Sequence, residues 1–149
     1  MTAVIQRVTE SSVLINNEIF SRTGKGLLVL LGIHKSDRDE ETAILAKKTA
    51  ELRIFNDEND KMNLSVMNTG GEIMVISQFT LCSDNGKSGN RPSFINAELP
   101  ERAERLYLKF VGELREYYKP EKIKTGVFGG KMEVRLCNDG PVTIILERK

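Results

Sequence analysis

Hydrophobic and polar positions in the first part of the chain follow the spacing of strands. The apolar residues around Ile5 predict a first strand. Asn16 and Asn17 separate two short apolar stretches, and because asparagine tolerates positive φ, they predict a two-residue hairpin turn. The unbroken apolar run 26–32 is bounded by glycines and therefore predicts a strand buried on both faces.

Two later segments have helical spacing. Asp37, followed three residues later by Glu40, resembles a capping box and predicts a helix that ends near Leu52. Pro100 suits the first turn of a second helix. The first helix is expected to bury Ala43, Leu45, Ala46 and Ala50, and the second to bury Ala103, Leu106, Tyr107, Phe110, Val111, Leu114 and Tyr118.

The remaining segments predict further strands and their connections. A small, polar stretch, 83–90, predicts a mobile loop that contains Lys87, and the glycines of 126–130 predict a flexible junction. Strands are predicted at 62–66, 72–76, 132–137 and 142–146, the last two on either side of the sequence NDGPVT. About seven strands and two helices predict an α/β fold with helices packed outside the sheets.

Composition and charge exclude several classes of protein. The chain has 149 residues, most simply one domain (1–149), and its 22 basic and 21 acidic residues leave a net charge of +1, so no overall field favours nucleic acid. No apolar stretch approaches the roughly 18 residues of a membrane span, and the N-terminus lacks a signal-peptide core. Cys82 and Cys137 are far apart and predict reduced thiols in the cytoplasm.

Few side chains are suited to catalysis. His34 is the one histidine, so a histidine-based metal site or a Ser-His-Asp triad is not expected, and its ring is predicted to face solvent. The hydroxyls of Ser77, Thr80 and Thr143 have no histidine or lysine near them in sequence to act as a base. Such hydroxyls also commonly satisfy backbone groups at strand ends. The acidic turn 56–60 misses the calcium-loop spacing and predicts a solvated turn.

Two features leave their interpretation open. Phe128 lies among glycines, which suits either the aromatic wall of a pocket or ordinary packing. The pair Gly140–Pro141 follows Asn138 and Asp139, and it suits either a plain turn with a trans peptide or a special conformation. These residues predict a pocket formed by strand ends, a glycine turn and a loop phenylalanine, without naming its ligand.

Two sequence motifs resemble the signature motifs of the D-aminoacyl-tRNA deacylase family. They are SQFTL at 77–81 and NDGPVT at 138–143. Other stretches resemble family motifs in the same order along the chain: AVIQRVT, GKGLLVLLGI, LRIFNDENDKMNLSV, NRPSF and TGVFGGKM. The resemblance therefore covers nearly the whole chain, although the loop 83–90 is less basic than is typical of the family.

The resemblance implies a fold, an assembly and an activity. The fold would be a three-layer β/β/α architecture with mixed, partly barrel-like sheets and two main helices, in a homodimer. The enzyme would hydrolyse the ester of D-aminoacyl-tRNA, and of glycine mischarged on alanine tRNA, without a cofactor or metal. The Gly140–Pro141 peptide would be cis and would enter the partner's pocket, where its carbonyl groups would exclude L-amino acids.

The resemblance also implies roles for particular residues. Backbone N–H groups near Gln78, Phe79 and Thr80 would stabilise the oxyanion, while the 2′-hydroxyl of the substrate and a water would transfer protons. Thr80 as a covalent nucleophile is the alternative. The catalytic set would be Ser77, Gln78, Phe79, Thr80, Gly140 and Pro141, and the substrate-binding set Ala97, Phe128, Met132, Asn138, Val142 and Thr143.

Two other functions are compatible with the sequence. One is a nucleic-acid-binding module without catalysis, since some relatives of the family associate with DNA; the neutral net charge argues against it. The other is a metabolic hydrolase of small esters, which would act on free D-amino-acid esters without tRNA.

Overall fold

The computed structural model describes residues 1–84, 86 and 89–148, and within them six strands form one mixed sheet. Its strands are β1 (Thr2–Ile15), β2 (Glu18–Thr23), β3 (Gly26–Gly32), β6 (Glu72–Ser77), β7 (Ile123–Thr125) and β8 (Glu133–Glu147). Strands β4 (Phe55–Asn56) and β5 (Met62–Leu64) form a separate pair. The helices are α1 (Asp39–Glu51), α2 (Val66–Thr69) and α3 (Pro100–Tyr117), with short 3-10 turns at Phe79–Cys82 and Pro120–Lys122.

Strand β1 organises the sheet. It pairs antiparallel with β3 and β2 along one edge and with β8 along the other. Beyond β3 the sheet continues with β6 and β7, which run parallel to it. Because β3 and β6 are parallel, their carboxyl ends lie at the same edge of the sheet, where open α/β sheets commonly bind ligands.

The sheet curls until it is nearly closed into a barrel. Ser21 of β2 donates a hydrogen bond of 2.7 Å to the carbonyl of Thr125 in β7, so the two ends of the strand order approach each other. A small apolar cluster fills the interior: Val8, Val13, Leu28, Met74 and Ile76. The curled sheet supplies two layers and the helices a third, which confirms the predicted fold class.

The main core lies between the other face of the sheet and the helices α1 and α3. Helix α3 buries the apolar positions predicted for it, including Phe110 and Leu114, each worth about 1.5–3 kcal/mol of burial. The hydroxyl of Tyr107 donates to the carbonyl of Val75 at 2.8 Å, which ties α3 to β6. This arrangement places the N-terminus of α3 beside the carboxyl ends of β3 and β6.

Several predicted elements are confirmed. Asn16 and Asn17 have φ of 50° and 65° and connect β1 to β2 as the predicted hairpin turn. Strand β3 is buried on both faces, since Leu27, Val29 and Leu31 belong to the main core and Leu28 to the barrel interior. Both cysteines are free thiols, Cys82 buried and Cys137 exposed.

The predicted start of α1 was wrong by one residue. Arg38 is the N-cap, and its backbone N–H donates to the Glu41 carboxylate at 2.9 Å. The Asp37 carboxylate instead accepts from the N–H of His34 at 2.6 Å and from the amino group of Met1 at 2.5 Å. Its oxygens are therefore occupied by the N-terminus and by the turn that precedes the helix. Ala43, predicted to be buried, is only half-buried.

Two further predictions are corrected by local contacts. The strand predicted over 62–66 stops at Leu64, because the Ser65 hydroxyl accepts from the N–H of Asn68 and caps the short helix α2. His34 is half-buried rather than solvent-facing, with Nε2 at 3.0 Å from Oγ1 of Thr2.

The C-terminal segment differs most from the prediction. Residues 132–137 and 142–146 were expected to form two strands joined by a turn, but they belong to one strand, β8, that pairs with β1 throughout. Asn138 lies opposite Val8 and Thr143 opposite Gln6, so residues 139–142 face the single residue Arg7. The motif is therefore a bulge of four residues opposite one, within a continuous strand. We call residues 138–143 the Gly–Pro bulge.

The loop predicted at 83–90 is described only in part. Asn85, Lys87 and Ser88 lie outside the described residues. At its base, the N–H of Asp84 donates to the carbonyl of Ser93 at 2.8 Å. Within the described ranges, no helix is both long and apolar enough to cross a membrane.

Candidate active site

A cavity of about 520 Å³ lies at the carboxyl ends of β3 and β6, beside the N-terminus of α3. Its size is within the range of about 300–1,000 Å³ that is typical of small-molecule sites. The lining is mostly apolar: Leu31, Ile33, Ile76, Ser77, Gln78, Phe79, Ala97, Glu98, Pro100, Ala103, Phe128, Gly129, Gly130, Met132 and Val134. Six of the residues predicted for the site are among them: Ser77, Gln78, Phe79, Ala97, Phe128 and Met132.

The segment Ser77–Phe79 forms one side of the cavity mouth. The N–H of Gln78 donates to the carbonyl of Leu31 at 2.8 Å, so β6 is still held against β3 at this point. The chain then turns sharply into the 3-10 helix. A side chain at Gly32 would bring its Cβ to 2.9 Å from Cβ of Leu81, so this close approach requires a glycine.

The backbone of this turn can offer fewer donors than predicted. The N–H of Gln78 is occupied by Leu31, which corrects its inclusion among the oxyanion donors. Phe79 and Thr80 begin the 3-10 helix, and the first N–H groups of a helix have no acceptor within it. Their N–H groups are therefore the donors that the turn presents.

The side chains of the turn lie at the surface. Phe79 is 60% exposed, and its ring packs edge-to-face against Phe94 with centroids 5.1 Å apart. Thr80 is exposed and does not line the cavity; its hydroxyl oxygen accepts from the side-chain amide of Gln78. An amide N–H cannot take up a proton, so this contact supplies no general base.

The nearby thiol is also not activated. Cys82 ends the 3-10 turn, and its Sγ donates to the carbonyl of Ile33 at 3.2 Å. Burial, together with the negative charge of Asp37, raises the pKa of this thiol to about 11. It is therefore protonated near neutral pH and is a poor nucleophile.

The glycine-rich segment 126–130 and Met132 form the opposite side of the cavity. Phe128 is half-buried and packs against Tyr107 with centroids 5.7 Å apart, so it both lines the cavity and contacts the core. The N–H of Val127 donates to Sδ of Met132 at 3.3 Å. A Cβ at Gly126 would lie 2.6 Å from that sulfur, so the glycine makes room for Met132.

A third side, residues 97–100, is held by backbone bonds to the segment after β3. The N–H of Glu98 donates to the carbonyl of Ile33, and the N–H of Lys35 donates to the carbonyl of Asn96, both at 3.0 Å. Burial raises the pKa of Glu98, but hydrogen bonds from Leu99 and Arg102 and the charges of Arg102 and Lys35 outweigh burial, so the pKa is lowered. This side chain is therefore a carboxylate near neutral pH.

The other predicted site residues lie apart from this cavity. Asn138, Gly140, Pro141, Val142 and Thr143 are in the Gly–Pro bulge and do not line it. Gly140 and Pro141 are exposed, and the peptide between them is cis, as the family resemblance implied. The structure thus separates the predicted site into a cavity group and a bulge group.

Side-chain hydrogen bonds within the bulge hold its shape. Oδ1 of Asn138 accepts from the N–H of Val142 at 3.0 Å, and its amide donates to the hydroxyl of Thr143 at 3.1 Å. Thr143 also accepts from Gln6 of β1 at 3.3 Å. Asn138 and Thr143 therefore shape the bulge.

Arg7, which we did not predict as a site residue, supports the bulge from inside. Its side chain is only 10% exposed. Nε donates to the carbonyl of Asp139 at 3.0 Å, and Nη1 donates to the carbonyl of Ile54 at 2.8 Å. The signal was present in the sequence, since Arg7 is in phase with the buried Ala3 and Ile5 of β1, where a charged residue needs a specific partner.

Comparison with known proteins finds one family along nearly the whole chain. The family model described as D-Tyr-tRNA(Tyr) deacylase matches residues 4–147. A D-aminoacyl-tRNA deacylase from Persephonella marina is 53% identical over 100% of this chain and 99% of its own. One from Dictyoglomus turgidum is 52% identical over 99% of this chain and 92% of its own.

Solved structures share the fold. A c-Myc DNA unwinding element binding protein superposes with a TM-score of 0.94, at 45% identity and with coverage of 100% of this chain and 99% of that one. A probable eukaryotic D-amino acid tRNA deacylase gives a TM-score of 0.80 over 98% and 99% of the two chains, and its 18% identity supports the fold alone.

The class defined by fold and sequence is that of hydrolases that act on aminoacyl-tRNA esters. The chain belongs to the D-Tyr-tRNA(Tyr) deacylase family. Both the predicted family and the predicted enzyme class are confirmed.

Proposed function

We propose that this chain hydrolyses the ester bond between a D-amino acid and the terminal adenosine of tRNA, in the cytoplasm and as a homodimer of one-domain subunits. The observation that carries the proposal is the cavity at the carboxyl ends of β3 and β6, formed by Ser77–Phe79, Ala97, Phe128 and Met132. Family membership supplies the reaction, and this cavity supplies a site that can hold an aminoacyl-adenosine.

The proposed chemistry uses the substrate and the backbone rather than a reactive side chain. The N–H groups of Phe79 and Thr80 would stabilise the oxyanion, and such donors are worth about 2.7–4 kcal/mol each where they have been removed in other enzymes. The 2′-hydroxyl of the adenosine and a water would transfer the protons. The ring of Phe79, exposed at the cavity mouth, and that of Phe128 would contact the adenine.

The proposed selectivity depends on a second subunit. The exposed Gly140 and Pro141 of one protomer would enter the cavity of its partner, with their carbonyl groups directed at the substrate's α-carbon. The side chain of an L-amino acid would need the volume that these oxygens occupy, so L-aminoacyl substrates are excluded. Glycine has no side chain to exclude, and we therefore include glycine on alanine tRNA among the substrates.

The test compares three charged tRNAs and one small ester. The purified protein is incubated with D-tyrosyl-tRNA, L-tyrosyl-tRNA, alanine tRNA that carries glycine, and free D-tyrosine ethyl ester. Hydrolysis of each ester is then measured. We expect turnover of the first and third substrates. Equal turnover of the D and L forms would contradict the proposed selectivity, and turnover of the free ester alone would indicate a small-ester hydrolase.

DNA binding is a second candidate function because a solved structure 45% identical to this chain is that of a DNA unwinding element binding protein. It would be favoured by salt-sensitive binding to duplex DNA, together with no turnover of either tyrosyl-tRNA. The net charge of +1 does not favour such binding.

A further inference from the structure

One side of the cavity is formed by irregular backbone. The position of this backbone depends on its contacts with the rest of the protein, on the side away from the cavity. Residues 97–99 precede α3, and Ala97, Glu98 and Pro100 line the cavity. Irregular segments keep a fixed position only when their polar groups are bonded to a rigid neighbour. Here that neighbour is the segment after β3, which accepts the N–H of Glu98 at the carbonyl of Ile33.

Arg102 adds a side-chain link between the same two segments. One arm of its guanidinium bonds the Glu98 carboxylate, and Nη2 donates to the carbonyl of Asp37 at 2.6 Å. The other oxygen of Glu98 accepts from the N–H of Leu99 at 2.7 Å. The Glu98 side chain is only 9% exposed, whereas that of Arg102 is 38% exposed, so the carboxylate end of this charged link is shielded from water.

Arg102 itself does not line the cavity. We propose that Arg102 is a positioning residue: by joining Glu98 to the carbonyl of Asp37, it fixes residues 97–100 at the distance from Ser77–Phe79 that the aminoacyl-adenosine requires. This inference rests on the proposed function. It assigns Arg102 an effect on substrate binding that acts entirely through residues 97–100.

Helix α3 provides a matched control. Arg105 lies three residues further along and pairs with the Asp39 carboxylate through both terminal nitrogens, Nη2 at 2.9 Å from Oδ1. That pair also connects α3 to α1, but neither residue lines the cavity. Arg105→Ala therefore removes one charge and one interhelical ion pair without disturbing residues 97–100.

The experiment measures turnover of D-tyrosyl-tRNA and binding of a minimal probe, an adenosine that carries D-tyrosine through a 3′-amide and has no phosphate. For Arg102→Ala we expect KM and the Kd of the probe to rise about tenfold, the size expected for loss of a charged hydrogen bond. The kcat should stay within about twofold. Arg102→Lys, which keeps the charge and one donor contact, should show an intermediate rise. Arg105→Ala should match the wild type.

The readouts separate positioning from other roles. If Arg102 contacted tRNA phosphate directly, Arg102→Ala would weaken the binding of tRNA but not that of the probe. The slope of log KM against log salt would also fall by about 0.7. That result would overturn the inference, as would equal effects of Arg102→Ala and Arg105→Ala. If the wild type binds the probe but does not hydrolyse D-tyrosyl-tRNA, the proposed hydrolysis is contradicted. The Kd of the probe, compared between wild type and the Arg102 variants, still decides the role of Arg102. A wild type that neither binds nor hydrolyses overturns both proposals.

Discussion

Thr80 has a hydroxyl in the 3-10 turn beside the cavity, but its surroundings do not suit a nucleophile. The group is exposed, and its oxygen accepts from the Gln78 amide. We predict that Thr80→Ala keeps kcat for D-tyrosyl-tRNA within about threefold, because loss of a true nucleophile costs about 10⁶ in other enzymes. Single-turnover kinetics check this, with Thr80→Ser as the control that keeps the hydroxyl. A thousandfold loss in the alanine variant, restored by serine, would assign Thr80 a covalent role.

Gly140 of the Gly–Pro bulge has no room for a side chain. Its φ is +133°, and an added Cβ would lie 2.8 Å from Cγ2 of Val142 and 3.1 Å from Nη2 of Arg7. We predict that Gly140→Ala lowers the free energy of unfolding by about 1–3 kcal/mol, measured in urea, and lowers selectivity for the D substrate.

Gly70 provides the comparison for this substitution. It also has positive φ, +69°, but an added Cβ would meet nothing within 4 Å. Gly70→Ala therefore has the free-energy cost of a positive φ but no steric clash of the added Cβ. It should leave selectivity for the D substrate unchanged. Equal losses of stability and of selectivity in both variants would show that the contacts of Gly140 with Val142 and Arg7 are unimportant.

At the scale of elements, the sequence predicted those structures whose signals are local. The apolar run of β3 and the spacing of Leu106, Phe110 and Leu114 in α3 each determine burial within one segment, and both predictions are confirmed. The continuity of β8 could not be predicted in this way. Locally, Gly140–Pro141 has the composition of a turn, and only pairing with β1, more than 120 residues away in sequence, shows that the strand continues.

The candidate site shows the same limit. The motif at 77–81 was predicted from its resemblance to a family motif, and Phe128 from its position among glycines; Ser77–Phe79 and Phe128 do line the cavity. Glu98 and Arg102 have no local signal, since a charged pair at i and i+4 is common on exposed helices. Their importance depends on the long-range contact with the carbonyl of Asp37.

Glu98 gives the 97–100 segment a pH dependence whose sign follows from its contacts. Its folded-state pKa lies below the ordinary value of 4.5, so the carboxylate contributes stability above about pH 4.5 and loses it as pH falls through the lowered pKa. We predict that Glu98→Gln is less stable than wild type at pH 7, by about 1 kcal/mol, and that the difference shrinks towards pH 3. Urea unfolding at both pH values measures this.

Glu101 provides a control in the same region. It is exposed in the first turn of α3 and makes no ion pair within the described ranges of the chain. Glu101→Gln should therefore follow the wild-type curve from pH 7 to pH 3. If Glu98→Gln follows it as well, the carboxylate of Glu98 does not stabilise the segment.

At the scale of the whole molecule, two features require explanation together. The cavity group and the bulge group of site residues do not meet within one chain. Large apolar side chains are also exposed around the cavity mouth, with Phe79, Ile95 and Leu99 at 60%, 61% and 67% exposure. Neighbouring exposed apolar residues commonly mark an interface, and a second copy would cover them while bringing its own bulge to the cavity.

Complementation between two variants with different defects tests this arrangement. Ala97→Trp fills the cavity of its own chain, and Gly140→Ala distorts the bulge. In a heterodimer purified through two different tags, one site combines both defects, and the other combines an intact cavity with an intact bulge. We therefore predict that the Ala97→Trp homodimer is nearly inactive on D-tyrosyl-tRNA, that the Gly140→Ala homodimer hydrolyses both D- and L-tyrosyl-tRNA, and that the heterodimer has about half of the wild-type rate with wild-type selectivity for D, since each site uses both chains. If the site were complete within one chain, the open cavity of the heterodimer would carry the distorted bulge, and the remaining activity would not select D over L. Light scattering on the wild type provides the independent check, because a monomeric mass would exclude a shared site whatever the variants do.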